Sequence, residues 1–317
     1  MIYYWYSCKN IKDRVYIPKY YDPFIENDLI MLEETHNLFN IKDLVDNKIL
    51  SFTTGDEIGK LAYGTGDIPF VRTSDISNWE IKSLPKQGIS EEIYNQYVFK
   101  QDVKTGDILF VRDGTYLIGT NCIITDLDNK ILYQSHILKI RVNDKDSIDP
   151  YLLFLSLNSD IVQKQIRNVQ FTADTIDTIG NRFLELVLPI PKNKMLAQNI
   201  SSETQKLLND REKGRLFIIQ APSIMEEVLL NNTLKPIQAF ASKDWDTLLK
   251  ETNQQTITSE FGYFETFWKG FSEIQHRIYL PKYYDPDIFY EIQSLSKFCD
   301  CLTVKDRTYA STLYIAY

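Results

Sequence analysis

Two arginines stand at matching places in this sequence. Gly66-Asp-Ile-Pro-Phe-Val-Arg72 and Gly106-Asp-Ile-Leu-Phe-Val-Arg112 share six of seven residues. Each reads as a turn, a short apolar strand and a cation at the strand end. A polar loop follows each one, Thr73-Ser74-Asp75 and Asp113-Gly114-Thr115-Tyr116. A guanidinium is a rigid fork of donors. It can bond a guanine through O6 and N7, clamp a phosphate, or pair with a neighbouring acid such as Asp75 or Asp113. Gly114 permits close backbone approach, and Thr115 and Tyr116 offer hydroxyls, although Tyr116 could equally pack. Gln134, Ser135 and His136 stand at the entrance of a later strand. A glutamine can meet adenine at N6 and N7, whereas a lone histidine more often satisfies a structural need. Lys164 and Arg167 close an expected helix and run into Gln170, Thr172, Asp174 and Thr175. Two cations beside a threonine-rich loop suit a phosphate contact, or a solvated helix end.

Catalytic sets are hard to assemble. Tyr21-Asp-Pro-Phe24 has one proline where an adenine methyltransferase turn has two, and no glycine-rich cofactor loop stands near it. It reads as a proline-kinked entry to an element. Asp75 with Glu80-Ile-Lys82 has the letters of a metal-dependent nuclease at too short a separation. With three histidines and four irregularly spaced cysteines, a Cys/His metal centre is not expected. No cofactor and no catalysis by the chain itself are expected.

Positioning such residues takes a real core, and 317 residues, 44% apolar and 13% aromatic, are enough to build one. That excludes a disordered chain. No apolar run approaches the ~18 residues of a membrane span. The start, Met1 to Cys8, lacks a basic segment and a long aliphatic one, so a cytoplasmic protein without membrane contact is expected. The net charge of −8 argues against DNA binding by bulk charge. Residues 60–192 carry 15 Lys/Arg and 17 Asp/Glu, so this stretch is nearly neutral and acidity does not exclude DNA there.

A long repeat organises the chain. Arg14-Val-Tyr-Ile-Pro-Lys-Tyr-Tyr-Asp-Pro23 returns as Arg277-Ile-Tyr-Leu-Pro-Lys-Tyr-Tyr-Asp-Pro286, identical at eight of ten positions. At the same offset Ile41-Lys-Asp43 matches Val304-Lys-Asp306. Recurrence of Tyr20 and Tyr21 as Tyr283 and Tyr284 points to a shared role in the fold. Between the copies, short strands are expected at Ile68–Arg72, Ile108–Arg112, Asn121–Thr125 and Ile137–Val142. A helix is expected over Pro150–Arg167 and a buried strand over Phe183–Pro191. Lys194–Asn231 has a helical pattern, with a break near Pro222.

In order along the chain come Ile68-Pro-Phe-Val-Arg-Thr-Ser-Asp-Ile76, Gly106-Asp-Ile-Leu-Phe-Val-Arg-Asp-Gly-Thr115 with Ile118-Gly119, and Gln134-Ser-His136. Pro150-Tyr-Leu152, Phe171-Thr-Ala-Asp-Thr175 and Leu188-Pro-Ile-Pro191 follow. The set resembles a target recognition domain of the specificity subunit of type I restriction-modification systems. The resemblance covers residues 14–192, and the helix after it resembles the family's spacer. It implies an α/β (α+β) fold: a mixed-sheet target recognition domain over 1–192, a helical spacer and connector over 193–275, and a truncated second recognition domain over 276–317. It implies a non-catalytic, sequence-specific DNA-binding specificity subunit that directs a methyltransferase/endonuclease complex. The alternative is the DNA-recognition fragment of a longer adenine methyltransferase-endonuclease polypeptide. Double-stranded DNA, an adenine methyltransferase (modification) subunit and a restriction subunit are the implied partners, with homodimerisation through the spacer as a further association. Arg72, Thr73, Ser74, Asp75, Arg112, Gly114, Thr115, Tyr116, Gln134, Ser135, His136, Lys164, Arg167, Gln170, Thr172, Asp174 and Thr175 are the DNA-binding candidates. In that family two domains alternate with two helices. Here Thr233–Gln275 is an extra stretch and the second domain is incomplete.

Overall fold

A computed structural model describes residues 7, 9, 11–12, 15–82, 87–114, 116–173, 176–231 and 233–242. The second repeat copy and the partial second domain expected over 276–317 lie outside these residues. Among those described, the fold is α+β. In chain order come α1 (Pro23–Leu32), β1 (His36–Asn40), α2 (Ile41–Asp46), β2 (Leu50–Thr54) and β3 (Ile68–Val71). The short strands β4 (Ile76–Ser77), β5 (Glu80–Ile81) and β6 (Gly88–Ile89) lead to α3 (Glu91–Gln101). Next are β7 (Ile108–Val111), β8 (Asn121–Ile123), β9 (Leu132–Tyr133) and β10 (Ile137–Val142). The remainder is α4 (Pro150–Leu157), α5 (Asp160–Val169), β11 (Phe171–Ala173), β12 (Ile176–Thr178), β13 (Val187–Pro191), α6 (Lys194–Asn231) and α7 (Lys235–Ser242).

The main sheet is antiparallel in the order β2-β10-β7-β8. Its central strand β7 is buried at all four positions, which is why Ile108-Leu-Phe-Val111 is apolar without alternation. Ile108 and Phe110 face a core shared with α2, α4, α5 and β13. Leu109 and Val111 face a second core built with Val71, Ile76, Ile81, Tyr133 and Ile137. A smaller sheet, β6-β3-β9, pairs β3 with β9 in parallel, Val71 opposite Tyr133. Chain passing from β9 to β10 therefore joins the two sheets through only Gln134, Ser135 and His136. Gly55 packs against this link, where a Cβ would run into the carbonyl oxygens of Tyr133 and Gln134.

Buried polar groups pin α3 to the main sheet. Gln101 donates to Asp56 Oδ2 and to the Tyr133 carbonyl, both at 3.0 Å, and accepts the Tyr133 N–H at 2.9 Å. Lys139 on β10 donates to the Gln101 and Asp102 carbonyls. Arg141 spans Asp102 and Asp107. Hydrogen bonds from Arg141 and Lys104 hold the Asp102 carboxyl down to about 2.

Several expected elements differ in extent. The helix expected over Pro150–Arg167 is two helices. Asp149 caps α4 by accepting the Tyr151 and Leu152 N–H groups, and the chain turns at Asn158–Ser159 before α5. The strand expected from Phe183 begins only at Val187, because Gly180–Glu185 coils as a 3-10 helix that buries Phe183. α6 runs through Pro222 without ending, although a proline removes one donor from the ladder.

The chain divides into two compact units, the first ending at Glu212 and the second beginning at Lys213. The start of α6 belongs to the first unit because Ala197 and Leu208 join its core. Ser201 also donates to Asp149 at 2.6 Å, and Arg211 pairs with Glu80 at 2.9 Å.

Candidate nucleic-acid interface

The two arginines end strands of different sheets, and the Gln134–His136 link brings them to one place. The Gln134 N–H bonds the Val71 carbonyl at 3.0 Å, beside Arg72. The Arg112 N–H bonds the His136 carbonyl, also at 3.0 Å. The link itself is a tight turn, closed by the Ile137 N–H on the Gln134 carbonyl.

A carboxylate absent from the sequence-based candidates lies at the centre. Asp113 is 7% exposed. Its Oδ2 accepts from Arg112 Nε and from His136 Nδ1, each at 3.0 Å, and its Oδ1 accepts from the Thr178 hydroxyl. Three chain segments thus meet on one side chain. Burial alone would raise this carboxyl, but the bonds from Thr178 and His136 and the charge of Arg112 outweigh it and hold it below the usual range. The hairpin β11–β12 docks here through its backbone as well. The Gly114 N–H donates to the Asp177 carbonyl at 2.9 Å, and the Ile179 N–H donates to the Arg112 carbonyl at 3.0 Å. Gly114 has φ +123, a conformation L side chains rarely adopt.

The Arg112 terminal nitrogens make no hydrogen bond among the described residues, because its contact with Asp113 runs through Nε. Arg72 makes no ion pair among them, and its Nε is buried without a partner. Asp75 does not pair with the Arg72 side chain. It is fully buried, and its Oδ2 instead accepts the Arg72 backbone N–H at 3.0 Å, closing the 3-10 turn of Thr73, Ser74 and Asp75. Thr73 and Ser74 are half-buried in that turn, and Lys82 donates to the Ser74 carbonyl. Glu80 is engaged by Arg211, and the Lys82 ammonium by the Ser74 carbonyl. Among the described residues no group of three or more His, Cys, Asp or Glu could hold a metal ion.

Tyr116 is 88% exposed, while Ser135 bonds Glu57. Lys164 pairs with Asp28 at 3.3 Å. Arg167 donates to Gln170 Oε1 at 3.1 Å, and Gln170, buried, donates to Asp177 Oδ2 at 2.8 Å. Thr172 lies on β11; Thr115, Asp174 and Thr175 fall outside the described residues. The sequence offers Asp113 as a neighbour for Arg112 but does not mark it as a hub, since its other partners lie 23 and 65 residues away.

No protein-family model matches the chain, and no curated protein matches it. Among solved structures, it is similar to the S subunit of a type I restriction-modification system from M. genitalium, with 14% identity and a TM-score of 0.43, over 64% of this chain and 48% of that one. It is also similar to a chain from a study of complex assembly and conformational transition in the type I system, with 12% identity and a TM-score of 0.36, over 75% and 52%. The HsdS subunit from Thermoanaerobacter tengcongensis gives 12% identity and a TM-score of 0.35, over 75% and 51%. The chain spans about half the length of the solved structures it matches.

Proposed function

We propose that this chain is a sequence-specific DNA-recognition subunit of a restriction-modification system, reading duplex DNA with the surface centred on Asp113. The observation that carries this reading is the convergence of four polar segments that the sequence keeps far apart. They are the Arg72 strand end, the Arg112–Gly114 strand end, the Gln134–His136 link and the β11–β12 hairpin. Rigid strands with polar ends are where a scaffold presents recognition groups. Such a surface holds donors and acceptors in fixed positions against base edges, which is how sequence is read. The ordered motifs of the sequence support the same reading.

Catalysis would come from partners, an adenine methyltransferase subunit and a restriction subunit. A net charge of −8 favours partners that supply most of the basic channel, because phosphate neutralisation dominates affinity. α6 offers them exposed Leu196 and Leu207 in the first unit. A second copy of the same helix is a further occupant of that stripe. The test is selection of bound duplexes from a random-sequence pool by the full chain assembled with a cognate methyltransferase subunit. Enrichment of one sequence that Arg112→Ala weakens supports the reading. Recovery of an unenriched pool overturns it.

A further inference from the structure

Three cations from three elements converge on two adjacent residues, Gln170 and Phe171. Lys19, in the 3-10 turn Pro18–Tyr21, donates to the Gln170 carbonyl at 2.6 Å and lies 5.7 Å from the centre of the Phe171 ring. Arg167, in the last turn of α5, donates to the Gln170 side chain. Arg182, in the 3-10 helix Gly180–Glu185, stacks with its guanidinium carbon 4.2 Å from the same ring centre. None of the three forms an ion pair with a carboxylate among the described residues. In contrast, Lys100, Lys104, Lys130, Arg112, Arg141 and Arg211 all do. Among the described residues, the acids nearby are committed elsewhere: Asp28 to Lys164, Asp177 to Gln170, and Glu185 to the Tyr20 hydroxyl.

A chain with 43 acidic and 35 basic residues has no shortage of counter-charges. Leaving three cations together without one builds in self-repulsion that a bound anion removes. Phe171 sets their geometry. A guanidinium stacked on a ring uses its face and keeps its edge of N–H donors free to meet an anion in plane. Position identifies the anion. Phe171 stands directly opposite Thr178 in the hairpin, and Thr178 bonds the Asp113 hub. Paired strands lie about 4.8 Å apart, so the cations border the proposed base-reading surface. The DNA backbone borders the base edges in the same way.

Resting on the DNA reading above, we propose that Lys19, Arg167 and Arg182 form a phosphate clamp that positions the duplex without reading its sequence. Lys19 belongs to the long repeat and returns as Lys282.

The test uses the full chain assembled with a cognate methyltransferase subunit and a mixed-sequence DNA duplex, with affinity followed as salt is raised. Lys19→Gln and Arg182→Gln should each lower the slope of log affinity against log salt by about one, equally on two unrelated duplexes. Arg182→Lys should keep most of the slope. Unchanged slopes in both glutamine variants, with the wild-type chain binding, overturn the clamp and leave the DNA reading standing. If Arg182→Gln unfolds, Lys19→Gln decides alone, because Lys19 is exposed. Failure of the wild-type assembly to bind either duplex at low salt overturns the DNA reading, and the clamp falls with it.

Discussion

At the scale of single residues, Asp113 turns a set of loops into a surface. Asp113→Ala removes acceptors from Arg112, His136 and Thr178, and hydrogen bonds to a charged group contribute about 1.5–3 kcal/mol each to stability. The expected result is a loss of that order, together with faster amide exchange at Gly114 and Ile179, whose N–H groups close the hairpin onto the strand end. Unchanged exchange at both would show that the backbone bonds hold the hairpin alone. The pH dependence has a definite sign. The folded carboxyl lies below its ordinary value, so its stabilisation is complete above about pH 4 and is lost as pH falls through the lower folded value. Urea melts of wild type and Asp113→Asn should therefore converge on acidification. Arg112 is tested by its own substitution. If it meets a guanine, Arg112→Ala should cost about 1–3 kcal/mol at one base pair of the target. A phosphate contact would weaken all duplexes alike, and a purely structural pair with Asp113 would lower thermal stability and spare binding.

Among the elements, those with one dominant physical cause were legible in the sequence. β7 and β10 are four- and six-residue runs of apolar character, and the structure pairs them within a residue of the expected bounds. The double burial of β7 predicts a steep penalty. Phe110→Ala should destabilise by about 3–5 kcal/mol, checked by denaturant melts. Less legible were boundaries fixed by tertiary contacts. Nothing in the apolar pattern of Pro150–Arg167 reveals a break, which depends on Asn158 turning to exchange amide bonds with Asn121. The strand expected from Phe183 failed for a similar reason, since that ring is needed in the core against Phe110 and Phe52. The candidate site was half legible. Arg112, Gln134 and His136 stood out by type and place, whereas Asp113 and Arg182 acquire their roles only from segments that fold against them.

For the whole molecule, acidity and an exposed helical stripe point the same way. Leu196 and Leu207 stand eleven residues apart along α6, close to the period of a straight helix face, and both are at least two-fifths exposed. Leu207→Glu should abolish association with a methyltransferase subunit, or with a second copy, without lowering the melting temperature. Sedimentation of the mixture checks this, and unchanged complex formation would move the docking face elsewhere. The link Gln134–His136 has one further consequence. Three residues bonded at both ends leave almost no slack between the two sheets, so Arg72 and Arg112 are held at a fixed spacing. If the proposed DNA reading holds, a duplex laid on that rigid surface must itself adjust. Base steps that bend or narrow easily would then be favoured at positions no side chain touches.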